Sequence, residues 1–276
     1  MDNAEKHTGI FKGFAVCVML FCLAAGYSGY IYMFLFAFAA GCDFYGKIGA
    51  GEKPTALISK NILGIYLRYW PVLIIAVITA FVLKKPTAEH FVADSIYCFL
   101  GLHFSFCLEW RFIPAFVLIL AAAPVLLRIT DRKNASLPAD ILFIVLFFAF
   151  TWCLLPKIMN TGLLSALNAS LLWKSIFTAL KLLPAFALGC LQAKYCVPEW
   201  RERFKAAAWL GKVFRYSGSA WLSIWLIASF LSALLENTAF ALRLAVLLFG
   251  SIMLAGLLEA AERKLRILFN NKSISF

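Results

Sequence analysis

Charge is scarce in this sequence: Lys, Arg, Asp and Glu together supply 14% of its 276 residues, against about 25% in soluble domains. With 63% of positions hydrophobic, that scarcity excludes a water-soluble globule, because a chain of this size has no single core able to hide so much apolar surface. The same figures exclude intrinsic disorder. Segments of about ten residues with alternating polarity, which build an outer-membrane barrel, are also missing, and the uncharged runs are far longer. No glycine-rich nucleotide loop, HExxH pair, G-x-S-x-G elbow or C-x-x-C occurs, so the chemistries those motifs carry are not signalled. There is no repeat of fixed period, no low-complexity linker and no polar stretch of domain size. The longest polar gap runs only from Lys194 to Ser217, which leaves one membrane domain over residues 1–276.

Acidic residues are the scarcer sign, 14 against 26 Lys and Arg, for a net charge of +12. In a soluble chain that excess would suggest a nucleic-acid partner. Here the basic residues sit in the gaps between apolar runs, without the basic–aromatic interleaving that tracks a phosphate backbone. They set membrane orientation instead, and no nucleic-acid partner is expected.

What is present is a succession of apolar runs at about 10–25, 27–41, 66–83, 112–127, 140–156, 175–193, 218–235 and 238–259. Each approaches the length that a ~30 Å hydrocarbon layer needs at ~1.5 Å per helical residue. The expected fold is all-α: a polytopic bundle of about eight transmembrane helices in the inner (plasma) membrane, with the lipid bilayer as its first partner. The first two runs are separated only by Gly26-Tyr27-Ser28-Gly29 and would merge if hydropathy alone decided. Parity separates them. With eight spans, nineteen of the 26 Lys and Arg residues fall on the side of the amino terminus, which the positive-inside rule assigns to the cytoplasm together with the carboxy terminus. Lys6, Lys12 and the run ending in Ala24-Ala25-Gly26 have the layout of a signal peptide, but a second apolar run follows at once, which favours a retained first span.

In the basic gap, Trp200, Phe204 and Ala207/Ala208 recur at helical spacing behind Pro198, predicting an interfacial basic helix over 196–214, with a solvated loop as the alternative. Cys17, Cys22, Cys153 and Cys190 fall inside spans as small hydrophobes, and Cys42 and Cys196 lie on the reducing side. His90, Cys98, His103 and Cys107 share an outer loop. Their spacing fits no common zinc pattern, so no metal is expected. A Cys98–Cys107 disulfide is conceivable, and two interfacial histidines with two inert thiols is the plain reading. Two cations lie within spans, Lys181 and Arg243. Such residues are expensive in lipid unless partnered or snorkelled. Glu236 is the expected partner of Arg243, and carbonyls loosened by Pro184 are available to Lys181.

Several stretches carry a family resemblance. Ile10-Phe-Lys-Gly-Phe-Ala-Val-Cys-Val-Met-Leu-Phe21 is similar to the first span of the integral-membrane acyltransferase family 3, O-acyltransferases of surface polysaccharides. In the same order, Phe34–Gly41 resembles its second span and Ile65-Tyr-Leu-Arg-Tyr-Trp-Pro71 its aromatic opening to the next. Leu100-Gly-Leu with Glu109-Trp-Arg-Phe-Ile-Pro resembles its tryptophan segment, and Leu183-Pro-Ala-Phe-Ala-Leu-Gly189 its Pro-x-Phe-x-x-Gly span. The family's first-span histidine is replaced by Cys22, its paired basic residues by Lys60-Asn61, and its second tryptophan by Arg111. Leu265–Phe276 resembles the linker to a further span, which implies a shortened copy.

The resemblance implies O-acylation, typically O-acetylation, of a cell-surface polysaccharide or glycolipid, with acyl-CoA (acetyl-CoA) as donor substrate and cytoplasmic loops meeting the CoA phosphates. It places Cys22 at the catalytic position and Lys60, Tyr66, Arg68, Trp110 and Arg111 in the substrate-lining set. A thiol replaces imidazole poorly as the base for a sugar hydroxyl, which allows a degenerate, inactive copy. The alternative is a non-catalytic subunit or transporter-like protein of envelope-glycan export, with Lys181 and Arg243 lining a path. Orientation underlies both. Single cysteines introduced into Lys194–Ser217 are expected to resist a membrane-impermeant thiol reagent in intact cells and to react after permeabilisation; labelling from outside would invert the topology.

Overall fold

Within a hydrocarbon layer every backbone N–H and C=O must find its partner inside the protein, and for separate apolar segments the α-helix does this alone. The computed structural model describes residues 3–27, 29–82, 98–100, 107–130, 136–159, 171–195, 214, 216–236 and 238–272. Its longer elements are α1 (Asn3–Ala25), α2 (Tyr30–Gly49), α3 (Pro54–Val82), α4 (Phe112–Thr130), α5 (Leu137–Ala149), α6 (Leu171–Tyr195), α7 (Trp221–Leu234) and α8 (Phe240–Lys272). A 3-10 turn, Leu108–Arg111, leads into α4, and α5 continues through a π-helical turn, Phe150–Leu154, into Leu155–Met159. No strand occurs among the described residues. Six helices are long and apolar enough to cross a membrane, and α7 and the Gly9–Ala25 part of α1 are shorter apolar helices. The chain is an all-α multi-pass membrane bundle.

The helices follow the eight apolar runs but overshoot them at one end. α1 begins before its run, α2 and α8 continue past theirs, and α3 starts at Pro54, placing Lys60 and Arg68 inside a helix. The reason is that hydropathy reports the thickness of lipid, whereas a helix stops only where its hydrogen bonding stops. Proline at the first helical position suits the start of α3, because its missing N–H would have had no partner there. The break between α1 and α2 is real: Gly26 turns with φ +72°, a left-handed conformation that glycine adopts without penalty. The proposed interfacial helix over 196–214 lies outside the described residues, apart from Phe214.

Register fixes the direction of each helix. Phe11 meets Phe38 (5.2 Å) and Lys12 pairs with Asp43, so α1 and α2 form an antiparallel hairpin. Phe21 meets Phe240 (6.0 Å) at the far end, while Gly256 lies by the Tyr216 hydroxyl and Gly218 against Gly9 at the near end. α8 therefore runs opposite to α1, and α1 starts at the end of the bundle where α8 finishes. α5 runs opposite to α6, joined near that same end by Asp140, which accepts from the Tyr195 hydroxyl at 2.8 Å and pairs with Lys194 at 3.6 Å.

α7 occupies the centre. It has only 14 residues, about 21 Å of helix, and almost every side chain from Leu222 to Phe230 is buried. Trp221 at its start stacks on Phe36 at 4.5 Å. α5 with its continuation to Ile158, and α8 from Phe240 to Ala261, lie at the rim, only 11% and 17% buried, and turn residues such as Leu146, Phe249 and Met253 outward.

The pair α2 and α6 runs parallel and touches backbone to backbone. A Cβ on Gly41 would strike the carbonyl of Phe186, and one on Gly189 would strike the carbonyl of Phe38. Small residues at such crossings are how membrane helices gain dispersion contact when lipid supplies no hydrophobic drive between them. Gly41→Ala and Gly189→Ala are each expected to destabilise the protein by about 1–3 kcal/mol through forced separation of the helices. Gly46→Ala and Gly64→Ala meet nothing within 4 Å and should be neutral or stabilising by roughly 0.5–1 kcal/mol, as helix propensity dictates. Thermal unfolding in one detergent ranks the four; equal effects would refute the crossing.

Candidate functional site

Charged and aromatic side chains converge at the end of the bundle away from the chain termini, around Tyr30 in the first turn of α2. Edges and faces of three rings meet there: Tyr30 is T-shaped to Phe112 at 5.3 Å and to Trp152 at 5.8 Å. The guanidinium of Arg111 lies 5.6 Å from the Tyr30 ring centroid and 5.2 Å from that of Phe112. The Lys181 ammonium lies 5.3 Å from Tyr30 and 5.7 Å from Trp152. One tyrosine thus serves two cations, each held by ring faces, a contact worth about 0.5–2 kcal/mol depending on solvation.

Local features bring each group into place. Pro184 removes one backbone donor from α6 and disturbs the preceding turn. The carbonyl of Lys181, in that turn, accepts from Trp152 Nε1 at 3.0 Å. Pro156 withholds the N–H that the carbonyl of Trp152 would otherwise meet, and the π-helical turn accommodates the gap. Thr178, one turn before Lys181, lies 3.4 Å from the Tyr30 hydroxyl. The 3-10 turn carries Glu109, Trp110 and Arg111 in succession, so that they point in different directions. Glu109 accepts from the Tyr32 hydroxyl and lies against Gly29, where a Cβ would strike Glu109 Oε2. A carboxylate at the opening of α2 is favoured by the N–H groups and dipole of that end.

The sequence candidates separate under this geometry. Arg111 and Lys181 come together on Tyr30. Trp110 is 1% exposed; its indole donates to Ser229 Oγ at 3.1 Å, and its ring is edge-on to Tyr69 at 5.4 Å, so it wedges the interior. Tyr66 donates to the Leu100 carbonyl at 3.0 Å, Tyr69 to that of Cys98 at 2.6 Å and Trp70 to that of Phe99 at 3.1 Å. The aromatic stretch in the middle of α3 is therefore a clamp on three successive carbonyls. Lys60 is exposed and Arg68 half-buried on the same helix, and no described contact joins either to the Tyr30 cluster. Cys22 is 4% exposed in α1, and no described side chain hydrogen-bonds its sulfur.

Two expectations need correction. Arg243 is held not by Glu236, which is exposed, but by Ser232: its Nη2 donates to the hydroxyl at 2.6 Å and to the carbonyl at 3.3 Å. Ser232 closes the last turn of α7, where carbonyls lack helical partners, and a guanidinium there is both hydrogen-bonded and favourably placed in the helix dipole. Lys181 lies over the Tyr30 and Trp152 rings, and its own carbonyl accepts from the Trp152 indole. Lys181 and Arg243 belong to separate helix pairs. Cys98 and Cys107 flank Tyr69 without a disulfide, and burial pushes the Cys107 thiol up to about 12. His90 and His103 lie outside the described residues, among which no group of His, Cys, Asp and Glu is set to hold a metal.

Tyr30, Tyr32, Glu109 and Trp152 were missed as candidates because nothing local marks them. A tyrosine one or three residues past a turn glycine is ordinary in sequence, and only Pro156 hinted at irregularity near Trp152. In comparisons with known proteins, no family model, no curated protein and no solved structure matches the chain.

The Tyr32–Glu109 contact couples α2 to the 3-10 turn and is testable without knowledge of activity. A double-mutant cycle of Tyr32→Phe and Glu109→Gln, read by thermal unfolding, is expected to give about 1.5–3 kcal/mol of coupling, as for hydrogen bonds to charged groups. Additive effects would show that the two side chains do not interact.

Proposed function

We propose that this chain is an acyltransferase-3-like protein of the inner membrane that O-acylates a cell-surface polysaccharide or glycolipid, with the Tyr30 cluster facing the acceptor. Three observations support the reading. The resembling stretches occur in family order along a chain that folds as a multi-pass helical bundle. The positively charged end of that bundle, turned to the cytoplasm by the positive-inside rule, would hold the CoA phosphates while the thioester reaches along the bundle to the acceptor at the opposite end. The opposite end gathers a carboxylate, two cations and aromatic faces within one constellation.

The single observation that carries it is the placement of Glu109. Acyl transfer from a thioester to a sugar hydroxyl forms an ester C–O bond and breaks the thioester C–S bond, releasing the CoA thiolate; it needs a group that takes the hydroxyl proton and a fixed donor for the carbonyl oxygen. Glu109, oriented by Tyr32, has the chemistry of that base. No described side chain hydrogen-bonds the Cys22 sulfur to activate it, and it acts in this reading as a packing thiol.

Purified full-length protein supplied with acetyl-CoA and a lipid-linked glycan is expected to release CoA thiol only when the glycan is present. Glu109→Gln should lower that rate by about 10²-fold or more, and Cys22→Ala should leave it nearly unchanged. Loss of activity in Cys22→Ala with retention in Glu109→Gln would reverse the assignment. A wild-type protein that cleaves no thioester, from a host whose glycan acylation survives deletion, would remove the enzymatic reading.

A further inference from the structure

The Tyr30 cluster brings two full positive charges into an apolar bundle without a described counter-ion. Arg111 Nε is buried and has no hydrogen-bond partner among the described residues. The described contacts of the Lys181 ammonium are ring faces alone. The carboxylate on the same turn, Glu109, is engaged by Tyr32 and forms no ion pair with either cation. Cations at such depth are ordinarily paired with an anion or with carbonyls, and ring faces satisfy only part of their field while leaving the N–H donors unused.

The approach to the cluster is graded. Lys174, Thr178 and Lys181 recur along α6 at spacings of four and three, so they line one face. Lys174 is exposed, Thr178 buried, and Lys181 half-buried against the Tyr30 ring, on which Arg111 also lies. Beside this face lies α5, the most lipid-exposed of the long helices, whose outward residues include Leu142, Val145 and Leu146. A charged head group entering between Lys174 and Lys181 would therefore leave its hydrocarbon chains against α5.

We infer that Arg111, Lys181 and Lys174 form a binding site for a phosphate-bearing head group, with Arg111 as the planar donor and the lysines as point charges. Guanidinium geometry matches two phosphate oxygens, and an ammonium supplies charge without such directionality. The inference deepens the proposed function by naming the group through which a lipid-linked acceptor is held, and it rests on that reading only in treating the cluster as ligand-facing. Binding is measured without acyl donor, so failure of acyl transfer and failure of anion recognition are separate results.

The probe is phosphatidic acid, compared with phosphatidylcholine and with inorganic phosphate, added to the detergent-solubilised full chain, with bound molecules counted by native mass spectrometry. Phosphatidic acid is expected to be retained in preference to phosphatidylcholine. Arg111→Gln and Lys181→Gln should each weaken retention by about tenfold, one charge-assisted contact apiece. Lys174→Gln, at an exposed position, should weaken it by less while leaving thermal stability unchanged, which keeps the test informative if a variant in the cluster fails to fold. Displacement by inorganic phosphate would identify the phosphate group itself as the ligand, and retention in its presence a head group with its chains; both support the site. Equal retention of the two lipids, or unchanged retention in folded Arg111→Gln and Lys181→Gln proteins, would overturn it.

Discussion

The backbone contact between α2 and α6 is the constraint on which the rest depends. Gly41 and Gly189 remove the side chains that would hold the two helices apart, and each backbone then rests on a carbonyl of the other, at Phe186 and Phe38. Because the helices are parallel and rigid, this crossing also fixes what meets toward the opposite end. Tyr30 lies about 16 Å before Gly41 along α2, and Lys181 about 12 Å before Gly189 along α6, at ~1.5 Å per residue. The ring and the ammonium arrive face to face because the glycines have set the helices close enough.

Around that pair, polar groups are satisfied by neighbours of an unusual kind. Membrane interiors punish bare charge and bare backbone alike. This protein answers with aromatic faces for Arg111 and Lys181, a serine at a helix end for Arg243, and indole or phenol donors for exposed carbonyls. The clamp of Tyr66, Tyr69 and Trp70 on the carbonyls of residues 98–100 works in the same way, side-chain donors meeting backbone acceptors. Acid–base ion pairs are confined to the end that carries the termini, Lys12 with Asp43 and Lys194 with Asp140, among the described residues. The two ends of the bundle therefore have different chemistry. One is laced by ordinary salt bridges, and the other presents cations with aromatic support and donors to spare.

That division gives the proposed function its geometry. A protein moving an acyl group across a membrane boundary needs an attachment for a soluble thioester on one side and for a carrier-linked acceptor on the other. The short central helix α7 ties the two together: its start packs on Phe36 through Trp221, and its other end supplies Ser229 to Trp110 and Ser232 to Arg243. The turn bearing Glu109 and Arg111 is thus braced against the core rather than left as a free loop.

Length and charge count determined the class of fold, the number of apolar runs and their parity, because the thickness of lipid and the sidedness of Lys and Arg are properties of one dimension. Even the narrow break at Gly26 was legible from charge bookkeeping. Helix ends were not, because a helix continues through Lys60 or Lys47 for as long as its hydrogen bonds do, whatever the hydropathy. Arg111 and Lys181 were identifiable as unusual from sequence, since a cation in or beside an apolar run is costly wherever it lies. Their meeting on Tyr30, and the exchange of Glu236 for Ser232 as the partner of Arg243, were decided only by tertiary structure. Distance between side chains is set by helix crossings, and those depend on which small residues face one another across the bundle, information that no single segment contains.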